Sequence, residues 1–129
     1  MRPANAALDW STTGTSSFSS SGDVAQTNQY SNPISLRHLS AYSIQVTTTG
    51  TPSGTFKLQM SNDNPEYGGK YPLSTMTWVD IDGSTLTVTA AGNIAWNAQG
   101  AGYLWARVVW TKSSGTGTIA GRFNGKGET

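Results

Sequence analysis

From Tyr103 to Trp110 the chain reads Tyr-Leu-Trp-Ala-Arg-Val-Val-Trp, a run in which nearly every residue is large, apolar, aromatic or β-branched. Such side chains fit the pleated surface of a strand, and the Ser/Gly/Thr-rich stretch behind them is turn chemistry. Gly102 to Phe123 therefore reads as a β-hairpin. Alternation places Tyr103, Trp105, Arg107 and Val109 on one side and Leu104, Ala106, Val108 and Trp110 on the other. Neither face suits water. A strand of this kind belongs in the middle of a sheet, with a core on one face and a second covering on the other.

The clearest alternation lies earlier. Tyr42, Ile44 and Val46 share one face of a strand over Ser40–Thr47, and Ser43, Gln45 and Thr47 share the other. Thr49–Gly54 turns the chain into Thr55–Met60, where Phe56, Leu58 and Met60 point inward and Lys57 and Gln59 outward. These read as a second hairpin. The two units echo each other, Val-Thr-Thr-Thr-Gly-Thr-Pro-Ser-Gly-Thr-Phe against Trp-Thr-Lys-Ser-Ser-Gly-Thr-Gly-Thr-Ile, as expected if each contributes to one of two facing sheets. Further strands are expected at Ile34–Leu36, Trp78–Ile81, Ser84–Ala90 and Ile94–Asn97, with a tight turn at Asp82–Gly83. Ser61–Pro72 reads as a long exposed loop, and Gly121–Thr129 as a fraying tail.

About eight short strands with turns roughly every ten residues predict an all-β protein, a single-domain antiparallel β-sandwich of jelly-roll or Ig-like type. Residues 1–32 carry only scattered bulk, at Leu8, Trp10, Phe18, Val24 and Tyr30, and cannot bury enough to fold alone. They are expected to form an N-terminal arm that docks on a neighbour, or an edge strand near Leu8–Thr13 followed by a loose loop. Residues 33–129 form the sandwich domain.

Composition narrows the function. At 129 residues one domain is the default, and with no cysteine its stability rests on packing. Charged residues are 12% of the chain, eight basic against seven acidic, with no run of either sign. That leaves no electrostatic footprint for a nucleic-acid backbone or an anionic membrane. No apolar run approaches the eighteen or so residues of a membrane span, and Met1–Leu8 lacks the apolar core of a signal peptide.

Catalytic chemistry is scarce. His38 is the sole histidine, and no Gly-x-Ser-x-Gly elbow accompanies it. Asp63, Glu66, Asp80 and Asp82 sit in or beside turns, where acidic and amide side chains bond the backbone. Neither Asn62–Asn64 nor Asp80–Asp82 has the ligand spacing of a calcium loop, so no cofactor or metal is expected. Arg107, mid-strand among apolar neighbours, needs a partner, and Asp80 or Asp82 is the candidate for a structural ion pair.

The five tryptophans are the stronger constellation. Trp105 and Trp110 lie on opposite faces of one strand, so both cannot enter the same core. The candidate contact residues are Trp10, Phe18, Tyr30, Tyr67, Tyr71, Trp105 and Trp110. Aromatic groups of this kind also suit a stacking platform for sugar rings.

Ser43-Ile-Gln-Val, Ser53-Gly-Thr-Phe-Lys-Leu-Gln-Met-Ser-Asn-Asp, Trp78 with Asp80, Gly102-Tyr-Leu-Trp-Ala-Arg-Val-Val-Trp-Thr, Ser114-Gly-Thr-Gly-Thr and Lys126-Gly127 together resemble a group of small β-sandwich virion proteins of tailed bacteriophages. The similarity spans about Pro33 to Gly127. It implies a non-enzymatic particle protein, a capsid decoration or cement protein or a head or tail accessory. It also implies a homo-oligomer, a trimer in many such proteins, seated on the major capsid protein in the virion. The alternative is a carbohydrate-binding or host-receptor-contacting module of the head or tail. The family carries no catalytic motif to transfer.

Overall fold

The structure is a computed structural model that describes residues 4–15, 17–36, 39–62, 76–99 and 105–127. The described residues form strands β1 (Ala4–Leu8), β2 (Trp10–Ser11), β3 (Gly22–Asp23), β4 (Asn28–Ser31), β5 (Ile34–Ser35) and β6 (Leu39–Thr48). They continue with β7 (Ser53–Ser61), β8 (Val79–Asp80), β9 (Leu86–Val88), β10 (Gly92–Gln99), β11 (Trp105–Ser114) and β12 (Thr118–Gly127). One sheet has the order β1-β12-β6-β10, with β3 also on β12. The other runs β2-β4-β11-β7-β8, with β5 on β11 and β9 on β7. All pairings are antiparallel, and the two sheets make the expected sandwich.

The two expected hairpins are not hairpins. β6 does not pair with β7, nor β11 with β12; instead β6 pairs with β12 and β7 with β11. Each strand-turn-strand unit is an arch that leaves one sheet and enters the other. The two arches lie against each other along their whole length. Their ladder runs from Ala41↔Lys126 to Thr48↔Ile119 in the first sheet. It crosses the corner through Thr49 N to Thr118 O (3.1 Å) and Thr51 N to Thr116 O (2.8 Å). It resumes in the second sheet from Ser53↔Ser114 to Trp105↔Ser61, after one bulge at Lys112/Ser114. The echo in the sequence is thus two halves of one folded ribbon. At the fold, Thr49-Gly50-Thr51 faces Thr116-Gly117-Thr118, and the hydroxyls of Thr49 and Thr118 stand 2.7 Å apart. An arch and a hairpin need the same turn residues and the same alternation, so pattern alone cannot separate them.

The expected alternation of Tyr42-Ile44-Val46 and of Phe56-Leu58-Met60 holds, each set facing inward. Tyr42, Ile44, Val46, Ile119 and Phe123 of one sheet meet Phe56, Leu58, Met60, Ala106, Val108 and Trp110 of the other, all buried. The Phe56 and Trp110 rings pack at 4.7 Å between centroids. Leu8, Trp10 and Val24 join the same core, so the early residues contribute to it. Val24 closes one end: its N–H donates to Gly117 O (3.0 Å) and its carbonyl accepts from Trp110 Nε1 (3.2 Å).

The expected tail is also different, since Gly121–Gly127 belongs to β12, paired with β1 and β6. Gly121 and Gly125 are there because the core presses on them: a Cβ at Gly121 would come 2.8 Å from Leu8 Cδ1, and one at Gly125 2.7 Å from Leu39 Cδ1. The strands near Trp78–Ile81 and Ser84–Ala90 are shorter than expected, at two and three residues. His38, Asp63, Glu66, Tyr67, Tyr71, most of the Ser61–Pro72 loop and the Gly102–Leu104 start of the opening run lie outside the described residues.

Candidate contact face

β11 is the central strand of its sheet, and its outward face carries Trp105, Arg107 and Val109, as alternation requires. The register sets their neighbours. Arg107 stands opposite Gln59, which stands opposite Asp80; Val109 lies between Tyr30 and Lys57. On the β4 side the ladder is interrupted at Asn32–Pro33, because proline has no N–H to give. The Val108 N–H left without a strand partner is taken by Ser31 Oγ at 2.8 Å.

At that interruption Arg107 is held between two rings. Its guanidinium carbon lies 4.5 Å from the Tyr30 ring centroid and 4.4 Å from that of Trp78. Gly14 passes above with φ +75°, where a Cβ would come 2.7 Å from Arg107 Nη1, so the chain itself supplies part of the second covering of β11. Arg107 Nε donates to Gln59 Oε1 (2.8 Å), Gln59 Nε2 to Asp80 Oδ1 (2.8 Å), and Lys57 Nζ to Asp80 Oδ2 (3.0 Å). Burial lowers the guanidinium to about 10, and it stays cationic at neutral pH. Cation–π contacts of this kind contribute about 0.5–2 kcal/mol each.

The expected Arg107–aspartate pair is therefore replaced by a relay. A whole strand, β7, separates β11 from β8, and Gln59 on it is the group that reaches both. Asp80 makes its ion pair with Lys57 instead. Asp82 is exposed at the turn and takes no part.

Asp80 is held below its ordinary value first by the hydrogen bond from Gln59, then by Lys57. A carboxylate with a depressed folded pKa adds stability above its unfolded pKa and loses it as pH falls through the folded one. Asp80 is expected to titrate below the ordinary aspartate value in side-chain carboxyl NMR, and Gln59→Ala and Lys57→Met each to raise it. An unchanged Asp80 titration in Gln59→Ala would contradict the relay.

Of the expected contact residues, Tyr30 and Trp105 lie on this face, half-buried. Trp105 Nε1 is shut off from solvent without an acceptor. Trp10 and Trp110 do not lie there: they are 1% and 0% exposed, inside the core, and leave no ring surface for a partner. Trp110 points inward because it shares a face with Ala106 and Val108, and Trp10 because β2 is paired to β4 at the sandwich margin. Phe18 is half-buried in the segment leading to the Ser19–Trp10 bridge. Trp78, Gln59 and Lys57 were missed as site residues. The outward alternation of Lys57 and Gln59 was visible in the sequence; their position opposite Val109 and Arg107 was not. Val79 beside Trp78 is 48% exposed.

The face offers one cation clamped by rings, one screened ion pair and an apolar edge. Among the described residues no group of three or more His, Asp or Glu could hold a metal ion. No helix among them is long and apolar enough to cross a membrane.

No known family's sequence profile matches the chain, and no curated protein matches it. Among solved structures it is similar to the SPBc2 prophage-derived protein YomS, with a TM-score of 0.50, 13% identity and 96% of each chain covered. A CBM4 structure is matched at a TM-score of 0.44 and 11% identity, over 81% of this chain and 64% of that one. At these identities the first likeness is one of fold.

Proposed function

We propose that this chain is a non-enzymatic structural protein of a phage particle, a decoration or cement protein. It stabilises the capsid as a homo-oligomer through protein contacts made by the outer face of β11, β7 and β8. The observation that carries the reading is the Tyr30–Arg107–Trp78 stack beside the exposed Val79. Aromatic residues and arginine are the types that anchor protein interfaces, and here they are pre-ordered, so less entropy is lost on binding. The resemblance of the Pro33–Gly127 motifs to small virion proteins supports the same reading, as does the fold shared with a prophage-derived protein.

The sugar-binding alternative fits the face less well. A stacking platform needs a free ring face, and Tyr30 and Trp78 each give one face to the guanidinium.

The test is co-sedimentation with particles of the encoding phage from which the protein has been stripped. The native chain is expected to rebind. Val79→Asp, on the exposed edge, should weaken rebinding at least about tenfold, and Arg107→Ala about thirtyfold, as for an interface anchor. Equal rebinding by all three would remove the face from the interface. Failure of the native chain to rebind, with tryptophan fluorescence responding to host polysaccharide, would replace the reading with the sugar-binding one.

A further inference from the structure

β10 is an edge. It pairs with β6 along its full eight residues, Gly92↔Thr48 to Gln99↔Ala41, without a bulge, and no strand among the described residues lies on its other side. Every second residue therefore presents its N–H and C=O outward. Proteins normally blunt such an edge with lysine, proline, a bulge or shortness. The far edge of the other sheet is blunted in the last way, since β8 and β9 have two and three residues. β10 has none of these devices: Gly-Asn-Ile-Ala-Trp-Asn-Ala-Gln contains no charge and no proline.

The sandwich is also open along this margin. A pocket of about 260 Å³ reaches the core side chains Val46, Phe56 and Val88 past Ile94, which is only half-buried. Among the described residues nothing covers the backbone edge or the apolar margin at this place.

We infer that β10 is the self-association edge, paired antiparallel with β10 of a second copy about a two-fold axis at Ala95. In that register Asn93 faces the partner's Asn97, exposed neutral amides that each donate and accept, and no like charges meet. Ile94 comes opposite the partner's Trp96 on the inner side and covers the open margin. A self-complementary pairing of this kind is isologous and builds an even-numbered assembly, in place of the three-fold one implied by the resemblance. The inference deepens the oligomer part of the proposed function and does not depend on what the β11 face binds.

The experiment is light scattering on the purified chain with two charge variants. The native protein is expected at twice the chain mass. Ala95→Lys and Ala95→Glu each place like charges directly opposite and should each be monomeric at that concentration, the dissociation constant rising at least about tenfold. Mixing the two variants should restore the two-chain mass, which a variant that had merely misfolded could not do. Gln45→Lys, exposed on the central strand of the same sheet, is the control and should leave the mass unchanged. A native chain that is monomeric or three-chain, or an Ala95→Lys protein that keeps the native mass, would overturn the inference. A dimer that ignores phage particles would leave it standing and sink the particle reading instead.

Discussion

Gly117→Ala is expected to be among the most damaging small substitutions at the described residues. Gly117 has φ +141° in the ribbon's fold, and a Cβ there would fall 1.9 Å from the Thr49 carbonyl oxygen. The neighbour is backbone, so no side chain can swing aside. The Thr49–Thr118 contacts on either side must open, and with them the corner that carries the ladder from one sheet to the other. Backbone strain of about 1–3 kcal/mol and forced overpacking of similar size add to about 2–6 kcal/mol. That is a large part of the 5–15 kcal/mol or so that keeps a domain folded. Gly83→Ala is the matched control: φ is +78°, yet nothing lies within 4 Å of the added carbon. It should cost only about 1 kcal/mol. Urea unfolding of both variants measures the difference, and equal costs would show that the clasp does not hold the two arches together.

Trp110→Ala is the second. The ring is fully buried, packed on Phe56 at 4.7 Å, and Trp110 Nε1 donates to Val24 O, which ties the early residues to the sandwich. Removing it leaves a cavity bounded by both sheets, at a cost of about 3–5 kcal/mol. Trp110→Phe keeps much of the packing but leaves the Val24 carbonyl without its donor, so about 1–3 kcal/mol is expected. Thermal unfolding followed by circular dichroism separates the two. An alanine variant within 1 kcal/mol or so of native would mean that the sheets close over the gap, contrary to the interior described here.

How much of this was legible beforehand differs by residue. The inward sets Tyr42-Ile44-Val46 and Phe56-Leu58-Met60 were readable, because a two-residue period with one apolar face has a single burial solution. That Trp105 and Trp110 part company was equally readable from their five-residue separation. Which of the two enters the core was not, and the expectation that Trp10 serves as a contact residue failed for a related reason. A lone aromatic in a polar segment looks spare until its strand pairing puts it over the core. For Arg107, the demand for a partner came from its burial, but the partner is Gln59, since only the strand order shows which side chain lies between β11 and β8.

By itself the sequence determined the fold class, the alternation of most strands, the repeated Thr-Gly-Thr turn and the need of Arg107 for company. These are local properties, set by side-chain type and period along the chain. Only the tertiary structure decided which strands pair, that the two echoing units are arches clasped to each other, and that Tyr30, Trp78, Gln59 and Asp80 meet at Arg107. The physical reason is that a strand's hydrogen-bonding edges are the same backbone groups whatever the residues. A turn can therefore return the chain to its own sheet or deliver it to the facing one, and long-range packing makes the choice.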